Sequence, residues 1–246
     1  MPTIEATSIH EAWRRAVLLC LKNSRDAEAR ALSIEICFHD GADDRVFRNA
    51  LNAALAENEL ASVDTVARTI FPRGLWNPTK PRQHLYDRYL RILPKLRTCP
   101  LNRRGIYFER LIQYPESRNS SVVTNQLEFV IATFNAGNHR KTALQASLYH
   151  PFIDASNSRR LGFPCLQQIA FIPEAEQGLT MLAFYPVHYL FERAYGNYLG
   201  LAHLGQFMAH EMGLVFKRLV CTAGVARLEA DPSKLDSLHL QLAEAR

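Results

Sequence analysis

Residues 162–229 read GFPCLQQIAFIPEAEQGLTMLAFYPVHYLFERAYGNYLGLAHLGQFMAHEMGLVFKRLVCTAGVARLE. A Gly-x-Pro-Cys turn opens the run and places Cys165 at the start of a strand over 166–172. A second strand over 179–184 is almost continuously apolar, as strands buried on both faces are. Residues 197–214 then have helical period, with Leu201, Leu204, Met208 and Met212 as an apolar stripe and Gly213 as the stop. Short β-type runs at 219–222 and 226–229 close the sheet.

Working outward, 125–136 reads as a helix with Gly137 at its C-terminal cap, and 144–149 as a strand. A loop over 150–163 follows, with Arg159 and Arg160 just before Gly162. Nearer the start, 8–22 has Trp13, Val17 and Cys20 or Leu21 at helical spacing. Residues 33–38 alternate as a strand does, and His39-Asp40-Gly41 supplies a turn. Helices are expected over 45–58 and 64–70, the latter stopped by Phe71-Pro72. The stretch 73–104, rich in Pro, Arg and Tyr, reads as a long connection with short helices, a place for an active-site rim or for disorder. The tail after Pro232 reads as a short amphipathic helix. No internal repeat or low-complexity tract is visible, and one α+β domain over 1–246 is the economical reading.

Composition narrows the class. The 246 residues are 48% hydrophobic and 22% charged, which supports a full core and argues against wholesale disorder. A net charge of +5 suits a protein that handles anions such as nucleotides, and equally a solvated basic surface or a weak nucleic-acid contact. Five widely spaced cysteines without a CxxC argue against a disulfide framework and a structural zinc site, and point to a reducing cytosol. The apolar stretch 16–21 is too short for a secretory core. The longest later one, 181–191, is interrupted by Pro186 and His188, so no membrane span is expected. No P-loop, GxSxG or GxGxxG occurs. His203, Gln206 and His210 share a helix face, which reads as a solvated or interface face rather than a metal site. His210-Glu211 begins a metalloprotease-like pattern, but Leu214 stands where the second His is needed.

The ordered series from Pro164-Cys165 through strand, strand, Asn-led helix and strand resembles thymidylate synthase and its relative, the dCMP hydroxymethylase family. Phe191, Asn197, Ala209, Leu214 and Thr222-Ala223-Gly224 fall where similar residues sit in that family. Upstream, Arg140-Lys141 resembles the Arg pair that reaches a substrate phosphate across a dimer. Leu85-Tyr86-Asp87-Arg88-Tyr89 resembles a segment lining the folate site, Tyr107 falls at an active-site Tyr, and Asp64 at a Glu that orders water. The resemblance implies a thymidylate synthase-like α+β fold, a mixed sheet packed with helices whose other face forms a homodimer interface. It also implies a 5,10-methylenetetrahydrofolate donor, no metal, and a pyrimidine nucleotide substrate.

Such a site adds a one-carbon unit at C5 of the pyrimidine. That carbon is a weak nucleophile, and addition of a thiolate at C6 places charge on it. The thiol needs a lowered pKa, which cations such as Arg159 and Arg160 would supply. Asn197 can donate and accept at the pyrimidine edge, and Asp64 would relay protons. The sequence departs from the family at several clamp positions. Pro186 and Val187 replace an Arg-Ser pair, Tyr189 an Asp, Arg193 a Gly, and Arg227 and Glu229 a His and a Tyr, while Leu166 follows the Cys in place of His. Arg193 and Arg227 would restore positive charge from new directions. Each residue also has a plainer reading: Cys165 as a buried strand cysteine, Asn197 as a helix N-cap, Arg140 and Lys141 as a solvated pair, Asp64 as a surface helix residue. The alternative to catalysis is a dimer that binds or senses a nucleotide without turnover. A protein binding RNA or DNA through its basic surface ranks last.

Overall fold

The computed structural model describes residues 2–22, 27–38, 45–102, 105–118, 120–158 and 163–230. The turn at His39-Asp40-Gly41, the Arg159-Arg160 pair, Gly162 and the tail after Pro232 lie outside them. The chain opens with β1 (Thr3–Ala6), α1 (Ile9–Lys22) and β2 (Glu28–Cys37). In α1, Ile9, Ala12, Trp13, Ala16, Val17 and Cys20 recur at spacings of three and four, and all are buried. β1 and β2 pair in parallel, which requires a crossover, and α1 is that crossover. Next come α2 (Arg45–Glu57) and α3 (Val63–Ile70), whose N-terminus Ser62 caps by accepting from the Thr65 amide.

The middle of the chain holds α4 (Gln83–Arg97), α5 (Tyr107–Ile112), a hairpin of β3 (Tyr114–Pro115) and β4 (Val123–Thr124), α6 (Gln126–Asn135), β5 (Gln145–Ser147) and α7 (Pro151–Asp154). The last third holds β6 (Gln168–Pro173), β7 (Gly178–Tyr189), a π-turn over Leu190–Ala194, α8 (Tyr195–Glu211) and β8 (Val215–Arg227). Sheet order is β1-β2-β8-β7-β6-β5. β7 and β8 are parallel, joined by the π-turn and α8, while β2–β8, β6–β7 and β5–β6 are antiparallel. The result is an α+β chain on a mixed six-stranded sheet. Among the described residues no helix is long and apolar enough to cross a membrane.

The structure corrects three local expectations. The stretch 73–104 contains α4, fifteen residues long, because Leu85, Tyr86, Tyr89 and Leu93 form a buried helical stripe and Pro94 falls only in the last turn. β7 does not stop at Phe184 but runs past Pro186; the ladder to β6 ends at Phe184, so the missing N–H of Pro186 falls beyond the last β6 pair. α8 starts before Asn197, which therefore lies in its first turn rather than at its cap, and the helix is buried almost all round rather than along a stripe. Close approach of α3 on one side and of the sheet on another covers it. A Cβ on Gly200 would sit 2.6 Å from the Ala67 carbonyl oxygen, and one on Gly196 2.6 Å from the Val66 Cβ.

α1 and α8 cover one face of the sheet, where Ala183, Tyr185, Leu219 and Cys221 are buried. Trp13, Phe47 and Tyr195 meet there, with ring centroids 5.4 Å (Trp13–Phe47) and 5.7 Å (Phe47–Tyr195) apart. The alternate residues Leu182, Phe184, Val220 and Thr222 point to the opposite face and are only half-buried.

Candidate active site

Cys165 stands just before β6, where the chain leaves a cis Phe163–Pro164 peptide. α5 presents Tyr107 beneath it. The Tyr107 hydroxyl accepts from the Cys165 amide at 3.2 Å and from the Leu166 amide at 3.4 Å, and also hydrogen-bonds the Cys165 side chain. Phe163 packs on Tyr107 with centroids 5.1 Å apart, and the Arg110 guanidinium lies 5.3 Å from the Phe163 ring centre. Gly105 admits that ring: its φ is +135°, and a Cβ there would lie 2.6 Å from Phe163 Cε1.

Arg110 is one helical turn beyond Tyr107 and makes a forked pair with Asp154 at 2.8 and 3.3 Å, while also donating to the Leu148 carbonyl at 3.1 Å. Asp154 accepts the His150 amide at 2.7 Å. Both partners are buried, so losing one would strand the other's charge at a cost of about 3–5 kcal/mol. The pair fixes α7 as one wall of a cavity of about 220 Å³ lined by Tyr149, Asp154, Ser156, Phe163, Cys165 and Gln167. This is smaller than most sites for drug-sized ligands, and the cavity is open to solvent.

Burial pushes the Cys165 thiol up; Arg193 and the Tyr107 hydrogen bond pull it back without cancelling the effect of burial. Arg159 and Arg160, the cations expected to lower it, lie outside the described residues; among those described, desolvation outweighs Arg193. Burial also raises Tyr107, with Cys165 adding to it, so its hydroxyl keeps its proton at neutral pH.

The other expected site residues divide. Arg193 acts electrostatically on both Cys165 and Tyr107, and its Nε lies 3.8 Å from the Glu192 carboxylate. Asn197 is 4% exposed and its Nδ2 lies 3.0 Å from His188 Nε2, so the amide is engaged inside the core and does not line the cavity. Arg227 is exposed at the end of β8 with its Nε 3.9 Å from Glu28. Arg140 and Lys141 are exposed at a single turn of 3-10 helix before β5. Asp64 sits in the first turn of α3, half exposed, 3.8 Å from Arg48. Tyr86 and Tyr89 are core residues, packed edge-on against Phe207 and Phe108. Of the remaining cysteines, Cys20 and Cys221 are buried and Cys99 is exposed.

Sequence reasoning passed over four residues that shape this region. His188 looks like an interruption of an apolar run, yet it is 2% exposed, stacks on Tyr185 at 4.1 Å and holds Asn197. Arg110 and Asp154 carry no motif. Glu229 reads as a departure from the family pattern, and its carboxylate instead accepts from the amides of Phe191 and Glu192. Strict alternation from Ala183 and Tyr185 would turn His188 outward, so the period of β7 carries no signal for its burial. The other three contacts join positions 37 to 44 residues apart and leave no local signal. No protein-family model matches the chain, and no curated protein matches its sequence.

Proposed function

We propose that the chain is a divergent thymidylate synthase-like transferase that adds a one-carbon unit to C5 of a pyrimidine nucleotide through a covalent adduct at Cys165. One observation carries the reading: Cys165 lines a cavity, with its amide donating to the Tyr107 hydroxyl and Arg193 acting electrostatically on both side chains. In the proposed step the sulfur donates an electron pair to C6 and an S–C6 bond forms. The C5–C6 π pair moves toward C5 and the ring carbonyl, which makes C5 nucleophilic. Arg193 favours the thiolate that starts this step, and Tyr107 fixes the Cys165 backbone. After C5 has gained its substituent, its proton passes to solvent, the C5–H electron pair re-forms the C5–C6 double bond, and the S–C6 bond breaks to restore the thiolate.

A 5,10-methylenetetrahydrofolate donor enters by resemblance alone. The tyrosines that would face it are buried, so no step is assigned to it. Homodimerisation through the half-exposed sheet face and a cytoplasmic setting belong to the same proposal.

Incubation with pyrimidine nucleotides and methylenetetrahydrofolate, followed by mass spectrometry, should find nucleotide mass on the Cys165 peptide. Cys165→Ala should abolish both adduct and turnover; equal turnover by the two proteins would sink the mechanism. A second reading, a nucleotide-binding dimer without turnover, is favoured by the upward push on the thiol and by Pro186 and Val187 at the phosphate-clamp positions. It predicts thermal stabilisation by a nucleotide, no added effect of folate and no product.

A further inference from the structure

The geometry points to Glu229 as a positioning residue that anchors the π-turn carrying Arg193, and with it the charge that Arg193 presents to Cys165. Arg193 rides on the π-turn Leu190–Ala194, which joins β7 to α8. Such turns are rare and recur at functional sites. This one is held by two side chains from remote parts of the chain. Trp13 of α1 donates its indole N–H to the Leu190 carbonyl at 2.6 Å. Glu229, just after β8, accepts from the Phe191 amide at 3.4 Å and the Glu192 amide at 2.5 Å. The carboxylate thus satisfies two N–H groups that a helix start leaves without partners, and it sets negative charge at the positive end of the dipole. Bonds of this charge-assisted kind are the stronger ones.

Arg193 follows Glu192 directly, so the anchored amide fixes the point from which its side chain departs. Its guanidinium pulls both Cys165 and Tyr107 down against burial. The ionisable groups acting on Glu229 are Glu192 of the π-turn, and Cys20 of α1 senses it in return. The inference rests on the reading of Cys165 as the reacting thiol, and its test uses that thiol alone.

The experiment is alkylation of the full chain by iodoacetamide across a pH series, read peptide by peptide so that Cys165 is separated from Cys20, Cys37, Cys99 and Cys221. Glu229→Gln should slow Cys165 alkylation at neutral pH about tenfold, the effect of moving its titration midpoint up by one pH unit. The sign is diagnostic. Removing a negative charge acting through space would speed thiolate formation, whereas releasing Arg193 slows it. Arg193→Met should give the same slowing, and the double variant no more than either alone. An unchanged or faster rate in Glu229→Gln overturns the inference, as does full additivity with Arg193→Met. If Glu229→Gln does not fold, Glu229→Asp, which keeps the charge but draws it back from the amides, is judged by the same additivity with Arg193→Met and is expected to slow alkylation. Nucleotide turnover plays no part in this readout. Loss of turnover beside an intact Glu229 effect counts against the transferase reading alone, and the converse result counts against this one alone.

Discussion

A buried imidazole in the core ties the stability of the fold to pH. His188 is enclosed by the face of Tyr185 and the edge of Tyr198, with the Asn197 amide at 3.0 Å. Burial lowers its pKa to about 3 from an ordinary 6.5. Between those values the unfolded chain binds a proton that the folded one refuses. Stability therefore rises with pH through this window, is fully present above 6.5, and is lost on acidification toward 3. The slope from this group is at most about 1.4 kcal/mol per pH unit. His203, lowered to about 4 by burial and by Arg73 and Arg48, adds to it in the same sense. Urea midpoints measured at a series of pH values should fall as pH drops below 6.5, and His188→Gln should flatten the profile; an unchanged slope in the variant would show that the imidazole is already charged. At this scale the sequence is legible where chemistry is local. A Cys after Pro at a strand start and a Tyr ahead of it can be read, and they do meet. The residues that hold them cannot, since Arg110 finds Asp154 across 44 positions and Glu229 finds Glu192 across 37. Tyr86 and Tyr89 are buried, and in sequence an aromatic pair on a helix reads the same whether it faces a ligand or a core.

Elements are more legible than contacts, because their period is written in the chain. α1, α2, α3 and α6 appear within a residue or two of expectation, and Ser62 and Asn125 cap α3 and α6 through their side chains. What escapes is context. Pro, Arg and Tyr in 73–104 suggest a loop by composition, and the buried stripe of α4 overrides it. α8 reads as amphipathic because its glycines look neutral, although Gly196 and Gly200 are the surface on which α3 packs and Gly205 lies against Phe216. Gly200 provides the check: its would-be Cβ lies 2.6 Å from the Ala67 carbonyl oxygen and 3.0 Å from the Ile70 Cβ. The first of these is backbone and cannot swing away. Gly200→Ala gains helix propensity, about 1 kcal/mol, and meets an overpacking cost of about 1–3 kcal/mol. The expected net is a lowered thermal midpoint in a melting experiment, whereas a raised midpoint would mean that α3 and α8 separate without penalty.

The whole molecule is legible least, because strand order is set by pairings that sequence distance hides. β8, last in the chain, lies between β2 and β7, so Glu28 faces Arg227. This order leaves a broad sheet with helices on one face and an apolar stripe on the other. An antiparallel pair that faces water usually alternates apolar with polar residues. Here the outward positions include Leu182, Phe184 and Val220, half-buried, with Val187 41%, Tyr189 40% and Ile172 43% exposed. These groups share the face with Gln168, Thr222 and the Arg218–Glu35 pair, a mixed surface that a twofold pairing of the same face on two copies would cover. That surface supports the proposed homodimer more directly than any motif does. Val187 and Tyr189 are exposed at the end of β7, so charging them disturbs the folded chain little. The double variant Val187→Lys, Tyr189→Lys places like charges opposite one another in such a pair. In sedimentation equilibrium the natural chain should run at about twice its 28.0 kDa mass, and the variant at the mass of one chain with an unchanged circular dichroism spectrum. A natural chain sedimenting as a single copy would remove the homodimer and leave the apolar stripe to another partner. A variant that stays paired would move the interface off this face of the sheet.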